Sequence, residues 1–330
     1  MNRIRKETFK KWVIGTLAVV VFFILVYAPS KRDTVTNPNN EASSTVPVPA
    51  SLPTVGLFDH LKLQAKAAYV LDITTNQVIF AKNENTPLPL ASITKLMTAF
   101  VGSKFLDDKA TVTISTSSAA IEGESGLQPN ELWTFKDLRN FTLMVSSNDG
   151  ANAIALAVAT TIATHSSSTD PTISGLSSST LEALFANEMN TAAASLNLPT
   201  LHFQNSTGLD VDTTTPGAIG SAKDVSEFLR YLVQTHPDIV EITKNNRFKF
   251  TSLSGINHTA VNTDEDITRI SGIIASKTGY TLLAGGNLVI AYNPGLIHPI
   301  IITVLGSTAA GRFSDTLALA SSTRAYLKSQ

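Results

Sequence analysis

Apolar positions near both ends of the folded part of the chain follow the short, two-residue period of β-strands. The stretch AAYVLDITTNQVIFAKN predicts two strands over residues 67–73 and 77–82, joined by a tight polar turn at 74–76. In the last third, four further strands are predicted over RFKFTSL, ISGIIASKTG, GNLVIAYN and HPIIITVLGS.

Between these strands the apolar positions recur at helical spacing. One helix is predicted over residues 92–106. A second is predicted to begin after Thr134, which can cap it and has Asp137 three positions on, and a third covers ANAIALAVATTIA, which is apolar nearly all round. Further helices are predicted over LEALFANEMNTAAASLNL, after a capping Ser221, and over residues 312–327. A long serine-rich loop, HSSSTDPTISGLSSST, interrupts this region.

The simplest arrangement joins both sets of strands into one antiparallel sheet, with the middle of the chain as an insertion. We therefore expect an α/β (α+β) domain over residues 58–330. It would have an antiparallel sheet flanked by helices and a mostly helical subdomain at about residues 107–240.

The N-terminal segment has a different pattern. Residues 1–11 are basic and are followed by WVIGTLAVVVFFILVYA, an uncharged run over residues 12–28. A secretory apolar region usually has about 7–15 residues and a spanning helix about 17–25. The run of 17 residues stands at the border between these lengths, and Pro29 directly after the best cleavage position favours an uncleaved transmembrane anchor with a cytoplasmic tail over a cleaved signal peptide. Both interpretations place the rest of the chain outside the cytoplasm.

Residues 29–57 carry five prolines and many small polar residues, which predicts a disordered linker.

The composition of the whole chain then narrows the function classes. Its 330 residues are 43% hydrophobic, enough for a substantial core, and the net charge of −1 gives no general attraction to nucleic acid. The chain contains no cysteine, which excludes disulfides and thiol nucleophiles, and its six histidines show no metal-site spacing.

The stretch PLASITKLMTAF carries the first candidate for chemistry. Ser92 and Lys95 are three residues apart, so on a helix the amine lies beside the hydroxyl. Apolar neighbours would lower the pKa of the lysine and let its neutral amine act as a base toward the serine. The alternative is a helix-capping serine and a solvated lysine. The spacing alone favours that alternative, since a chain of this size holds about one such pair by chance.

Two further polar clusters lie in apolar surroundings. Ser146 and Asn148, in LMVSSNDGANAIA, stand between two predicted buried helices, where Asn148 or Asp149 would alternatively only cap the second helix. The Lys-Thr-Gly sequence at 277–279 ends a predicted buried strand. It offers a fixed positive charge, a hydroxyl and a glycine that permits close approach of another backbone.

In this order, SxxK, SxN and KTG together resemble the penicillin-recognising serine acyl-transferases. More closely, the chain resembles the serine-type D-alanyl-D-alanine carboxypeptidases, the low-molecular-weight penicillin-binding proteins. The resemblance includes FANEMNTAAASLNLPTLHFQNSTGLD and SKTGYTLLAGGNLV, and it covers about residues 60–305. It implies a β-lactamase/transpeptidase-like fold.

The resemblance also implies roles for the first two motifs. Ser92 would be the acylated nucleophile and Lys95 its base. Ser146 would carry a proton toward the leaving group, and Asn148 would hold the acyl donor.

For the third motif, the resemblance implies that Lys277 and Thr278 bind the terminal carboxylate of D-Ala-D-Ala, with Gly279 beside them. The backbone N–H groups of Ser92 and Tyr280 would form the oxyanion hole. The implied substrate is a peptidoglycan stem peptide, β-lactam antibiotics are the implied covalent inhibitors, and no metal or cofactor is implied.

Three alternative functions remain open from sequence. A serine β-lactamase would need an extra base for deacylation; Glu188 is a candidate, but it falls in a helix expected away from the site. A DD-endopeptidase shares the motifs, and the third alternative is a non-catalytic protein that binds cell wall or penicillin.

The chain also departs from the family: the insertion around residues 166–179 is longer than expected. After the last predicted helix we expect neither the family's frequent C-terminal β-rich domain nor its amphipathic anchor, and the N-terminal anchor would replace the latter.

Overall fold

A computed structural model describes residues 56–123, 125–166, 176–295 and 298–330. The predicted anchor at 12–28, nearly all of the predicted linker and most of the serine-rich loop lie outside these residues. Within them, no helix combines the length and the apolar character needed to span a membrane.

The strands, in chain order, are β1 (Ala67–Asp72), β2 (Gln77–Lys82), β3 (Leu88–Pro89), β4 (Thr111–Thr113), β5 (Leu132–Thr134), β6 (His202–Phe203), β7 (Ala218–Gly220), β8 (Arg247–Thr251), β9 (Asn257–Val261), β10 (Ile273–Thr281), β11 (Gly285–Tyr292) and β12 (Ile300–Ser307). The helices are α1 (Lys95–Phe105), α2 (Thr116–Ala119), α3 (Phe135–Val145), α4 (Asn148–Ser166), α5 (Ser178–Ser195), α6 (Ala222–Thr235), α7 (Pro237–Val240) and α8 (Gly311–Lys328). Two 3-10 turns cover Ala91–Thr94 and Glu241–Lys244.

The main sheet has five strands in the order β10-β11-β12-β1-β2, with antiparallel pairing throughout. The first strand of the domain therefore pairs with the last, Val70 opposite Ile302, as the sequence predicted. All six residues of β1 are buried, which fits its central place. β10, which carries the third motif, forms an edge of this sheet.

Both faces of the sheet are covered, because side chains alternate between two hydrophobic clusters. Tyr69 and Leu71 point into the larger cluster, which contains α1, α3, α4, α5 and α6, whereas Val70 and Ile302 join a smaller cluster with Leu319 of α8. This sandwich of helices on two sides of a sheet confirms the mixed α/β class predicted from the pattern.

One prediction about the sheet was wrong. The strand predicted at RFKFTSL does form, as β8, but it pairs with β9 in a separate two-stranded sheet. Phe250 packs there against Trp133 and Phe141 of the helical region. The apolar residues of β8 therefore serve another core surface. The middle region is also less purely helical than predicted, since β4 pairs with β5 and β7 pairs with β6 and β3.

The predicted helix starts are confirmed where a cap defined them. The side chain of Thr134 accepts a hydrogen bond from the backbone N–H of Asp137, and Ser221 accepts one from Asp224. Helices α3 and α4 meet at residues 146–147, and this junction brings the second motif to the N-terminal end of α1.

Candidate active site

Ser92 lies in the 3-10 turn Ala91–Thr94 that precedes α1. Glycines of two distant segments pack against this turn. A Cβ on Gly208 would lie 2.0 Å from the carbonyl oxygen of Ala91, and one on Gly279 would lie 2.7 Å from that of Leu90. The turn is therefore held between the 205–208 loop and β10, and Ser92 remains partly exposed between them.

Lys95 is completely buried, which excludes the alternative of a solvated lysine. Its Nζ lies 2.8 Å from Ser92 Oγ, 2.6 Å from Asn148 Oδ1 and 2.7 Å from the carbonyl oxygen of Thr207. Burial, and then the nearby charge of Lys277, hold the pKa of Lys95 well below its usual value, although Asp149 opposes the shift.

These contacts define the proton arrangement of the neutral amine. The carbonyl oxygens of Asn148 and Thr207 can only accept hydrogen bonds, so each takes one N–H of a neutral –NH₂ group. The nitrogen lone pair is then left for the third neighbour, the Ser92 hydroxyl. The arrangement is suited to remove a proton from Ser92 Oγ.

Asn148 is oriented by a second contact, since its Nδ2 donates to the carbonyl oxygen of Glu122 at 2.7 Å. This bond directs Oδ1 toward Lys95. The alternative in which Asn148 or Asp149 caps α4 was wrong: Ser147 Oγ accepts from the N–H of Gly150 at 2.8 Å.

Ser146 occupies the left-handed backbone region, with φ of 61°, where α3 ends. Its Oγ accepts a hydrogen bond from Lys277 Nζ at 2.8 Å, so the second and third motifs are in direct contact. A non-glycine residue in this conformation is strained, and such strain is often found at functional sites.

Lys277 is only 2% exposed and also donates to the carbonyl oxygen of Thr278 at 2.9 Å. Burial, with the charge of Arg312 beside it, lowers the pKa of Lys277 to about 7, while Asp264 opposes the shift. The positive charge that the sequence predicts at Lys277 therefore has to be kept against the cost of its burial. A bound carboxylate would favour the protonated form.

The remaining third-motif residues form the wall of the site. Thr278 Oγ1 lies 2.6 Å from Thr263 Oγ1, and the carbonyl oxygen of Gly279 accepts from Arg312 Nη1 at 3.1 Å. Tyr280 is half exposed. It lines an open cavity of about 500 Å³, together with Glu122, Leu209, Asp210, Asp212, Thr213, Thr281, Leu282 and Leu283.

The described geometry thus brings together every residue that the three motifs predicted. The model of one family, described as D-alanyl-D-alanine carboxypeptidase, matches residues 55–164 and 177–309, well over half of the chain. The chain belongs to the D-alanyl-D-alanine carboxypeptidase family.

Curated and solved members of the carboxypeptidase family agree with this. The chain is 30% identical over 247 residues to D-alanyl-D-alanine carboxypeptidase DacB2 of Mycobacterium tuberculosis, a match that covers 71% of this chain and 76% of that protein. Several other curated relatives are longer, and the match covers 59–60% of their length.

Two solved structures have the same fold. A D-alanyl-D-alanine carboxypeptidase from Mycobacterium tuberculosis has a TM-score of 0.66 and 25% identity, over 80% of this chain and 92% of that one. Penicillin-binding protein D2 from Listeria monocytogenes, in its ampicillin-bound form, has a TM-score of 0.61 and 25% identity, over 79% of this chain and 98% of that one.

Several residues of this carboxypeptidase-family site were missed from sequence. The Thr207 carbonyl binds the base through its backbone, so its side-chain type gives no signal. Asn287 Nδ2 donates to the carbonyl oxygens of Pro89 and Leu90, and Arg312 lies near Lys277 from the start of α8. A polar residue in the otherwise apolar strand GNLVIAY was a usable signal for Asn287. Glu188 lies on α5, as expected.

Proposed function

We propose that this chain is a serine-type D-Ala-D-Ala carboxypeptidase that removes the terminal D-alanine from peptidoglycan stem peptides. One observation carries the proposal: Nζ of buried Lys95 lies between two acceptors, Asn148 Oδ1 and the Thr207 carbonyl oxygen, and Ser92 Oγ, so a neutral amine would direct its lone pair at the Ser92 hydroxyl. Membership of the carboxypeptidase family gives the substrate class.

In the acylation step, Lys95 takes the proton of Ser92 as Oγ bonds to the carbonyl carbon of the penultimate D-alanine. The negative charge that develops on the carbonyl oxygen is stabilised by the backbone N–H groups of Ser92 and Tyr280. The close packing of Gly279 on the 3-10 turn, 3.2 Å from an added Cβ to Ile93 N, supports this pairing of two segments.

The terminal carboxylate of the substrate binds Lys277 and the Thr278 hydroxyl. When the peptide bond breaks, the leaving nitrogen takes a proton from Ser146, which is replaced by the proton that Lys95 had taken. D-Alanine then departs, and the neutral Lys95 amine is again able to activate a water molecule that hydrolyses the ester on Ser92. Asn148 keeps the acyl chain in place through the second N–H of its amide.

β-Lactams would acylate the same serine, since a β-lactam carbonyl and carboxylate present the same two groups. The ampicillin-bound form of the similar Listeria protein supports this proposal. Purified full-length protein should be labelled by a fluorescent penicillin, and Ser92→Ala should not. Ser117→Ala, at an exposed serine outside the site, is the matched control and should label as wild type does.

Substrate class is tested by mass spectrometry of muropeptides after incubation with the protein. Release of one D-alanine from pentapeptides is the expected result. Cleavage of cross-linked dimers alone would instead indicate a DD-endopeptidase. Penicillin labelling without hydrolysis of any muropeptide would indicate a non-catalytic penicillin-binding protein, and rapid turnover of penicillin a β-lactamase.

We also propose that residues 12–28 anchor the protein as a single membrane-spanning helix, with the catalytic domain on the extracytoplasmic side. The support is the uncharged run behind a basic tail. Fractionation of cells that express the full chain tests this. Recovery in the membrane, released only by detergent, is expected; a mature protein that begins after residue 28 would contradict the anchor.

A further inference from the structure

Glu182, on α5, lies outside the three motifs and has no role in the steps above. Its carboxylate is partly buried and binds two partners. Oε1 accepts from the backbone N–H of Ser206 at 2.6 Å, and Oε2 accepts from Asn152 Nδ2 at 2.8 Å. Asn152 is fixed in turn, because its Oδ1 accepts from Ser118 Oγ at 2.8 Å.

The Ser206–Thr207 segment that Glu182 binds is also the segment that holds the base. The carbonyl oxygen of Thr207 accepts from Lys95, and that of Ser206 accepts from Thr98 Oγ1 at 2.6 Å. Lys95 and Thr98 are one turn apart on α1. The segment is therefore bound by α1 on one side and by the Glu182 carboxylate of α5 on the other.

The placement of the Thr207 carbonyl decides what the Lys95 amine can do. If that oxygen moves away, one N–H of the amine loses its acceptor, and Ser92 Oγ becomes an alternative acceptor for it. The lone pair would then no longer be directed at the Ser92 hydroxyl, and the amine would donate where it must accept.

We propose that Glu182 is a positioning residue for the general base: it fixes the Ser206–Thr207 segment so that the Thr207 carbonyl orients the Lys95 amine toward Ser92. The inference rests on the proposed function, in which Lys95 activates Ser92. It assigns Glu182 no contact with substrate. Burial raises the pKa of Glu182, while hydrogen bonds from Ser206 and Asn152 oppose the shift and favour the ionised form.

Glu182→Gln tests this with little change in shape. A glutamine has one acceptor and one donor end, whereas both Ser206 N–H and Asn152 Nδ2 donate. In one of the two contacts, two N–H donors must therefore face each other with no acceptor between them. Saturation kinetics with a fluorescent penicillin should show the acylation rate constant falling by about tenfold or more. The dissociation constant of the preceding complex should change less than twofold, because Lys277 and Thr278 are untouched.

The double variant Glu182→Gln with Asn152→Asp restores the pattern with the same net charge. The glutamine oxygen accepts from Ser206, its amide donates to the new carboxylate, and the other carboxylate oxygen accepts from Ser118. The acylation rate constant should return to within about threefold of wild type. A double variant that folds and remains as slow as Glu182→Gln would overturn the proposal.

Asn190→Ala is the matched control for a purely structural effect. Asn190 is on the same helix and exchanges two hydrogen bonds with the backbone of Phe203, near the same segment but not on the Ser206–Thr207 peptide. It should lower the melting temperature and leave the acylation rate constant within about twofold. If Asn190→Ala lowers the acylation rate constant as much as Glu182→Gln does, the effect of Glu182 is on stability alone and the positioning role fails.

The rate constant reports only correctly folded molecules, and the labelled fraction reports how many there are, so partial misfolding does not hide the result. Failure of the two proposals is also distinguishable. If wild-type protein is never labelled, the proposed function fails. If Glu182→Gln is labelled as fast as wild type, only the positioning role fails.

Discussion

A lysine acts as a base only when its amine is neutral, and Lys95 shows how the surroundings of one residue achieve this. Burial removes water from the ammonium form, and the charge of Lys277 disfavours a second charge nearby. Yet the nitrogen keeps three polar neighbours, so the group is desolvated without being left unsatisfied.

The variant Lys95→Arg tests whether Lys95 acts as a base or only as a positive charge. An arginine keeps a cation near Ser92 but cannot become neutral in the accessible pH range. We expect the second-order rate constant for penicillin acylation to fall by about 10³-fold, the size of effect typical of losing a general base. Lys104→Arg, on the same helix but away from the site, should retain wild-type rates. Substantial activity in Lys95→Arg would show that the lysine acts only through its charge.

The pKa of Lys277 predicts that activity falls at alkaline pH. Its pKa is about 7, and only the ammonium form attracts a carboxylate, so binding should weaken as pH rises above about 7. Lys95 must be neutral, so the rate falls again at acid pH. The pH profile of kcat/KM for D-Ala-D-Ala peptides should therefore be bell-shaped.

The matched ligand for this profile is a penicillin methyl ester, which lacks the carboxylate. Its acylation rate is expected to keep the acid limb and lose the alkaline limb, when followed over the same pH range as the free penicillin. An alkaline limb that persists with the ester would assign it to a group other than Lys277.

At the scale of elements, β11 fixes the start of the nucleophile turn through one side chain. Asn287 is completely buried. Its Nδ2 donates to the carbonyl oxygens of Pro89 and Leu90, at 2.9 and 3.0 Å, and its Oδ1 accepts from the N–H of Gly306 at 2.7 Å. One amide thus joins β11, β12 and the segment that leads into Ser92.

Asn287→Asp keeps the acceptor and the size but places a carboxylate oxygen against two carbonyl oxygens. We expect the free energy of unfolding to fall by about 2–4 kcal/mol, because buried polar groups lose their donor. Chemical denaturation would measure this, and acylation should slow as the turn shifts. Asn257→Asp, at an exposed position of β9, is the control and should change stability little. Equal losses in both variants would contradict the role of Asn287.

The main sheet and most helices could be predicted from sequence because their cause is local: alternating apolar residues and capping threonine or serine. The partner of β8 could not, because its apolar pattern does not say which core it faces, and Phe250 in fact packs on Trp133 and Phe141. In the site, the side chains of the three motifs were predictable. The Thr207 carbonyl was not, since its role depends on where the backbone lies.

For the whole molecule, two buried lysines make stability depend on pH. The pKa of Lys277 is about 7 when folded and near 10.5 when unfolded, so the unfolded chain binds more protons between these values. Stability from this group is therefore gained as pH rises from 7 toward 10.5. It is lost again as pH falls toward 7.

Lys277→Met removes that dependence. At pH 7 the free energy of unfolding of Lys277→Met should exceed that of wild type. This excess should shrink by on the order of 3 kcal/mol between pH 7 and about pH 9.5. Melting temperatures at several pH values would show it. Lys62→Met, at an exposed lysine, should give the same difference at every pH. A constant advantage for Lys277→Met would mean that Lys277 stays charged when folded.

The pairing of the first strand with the last has a consequence for when the enzyme becomes active. Ser92 and Lys95 are made early, but their turn is enclosed by Gly208 and Gly279, and β1 finds its partner only in residues 300–307. We therefore expect Ser92 to stay unreactive in a chain whose C-terminal strands have not yet been made. Acylation of Ser92 should begin only after β10, β11 and β12 have joined the sheet, so that a partly synthesised chain is not acylated before its site is complete.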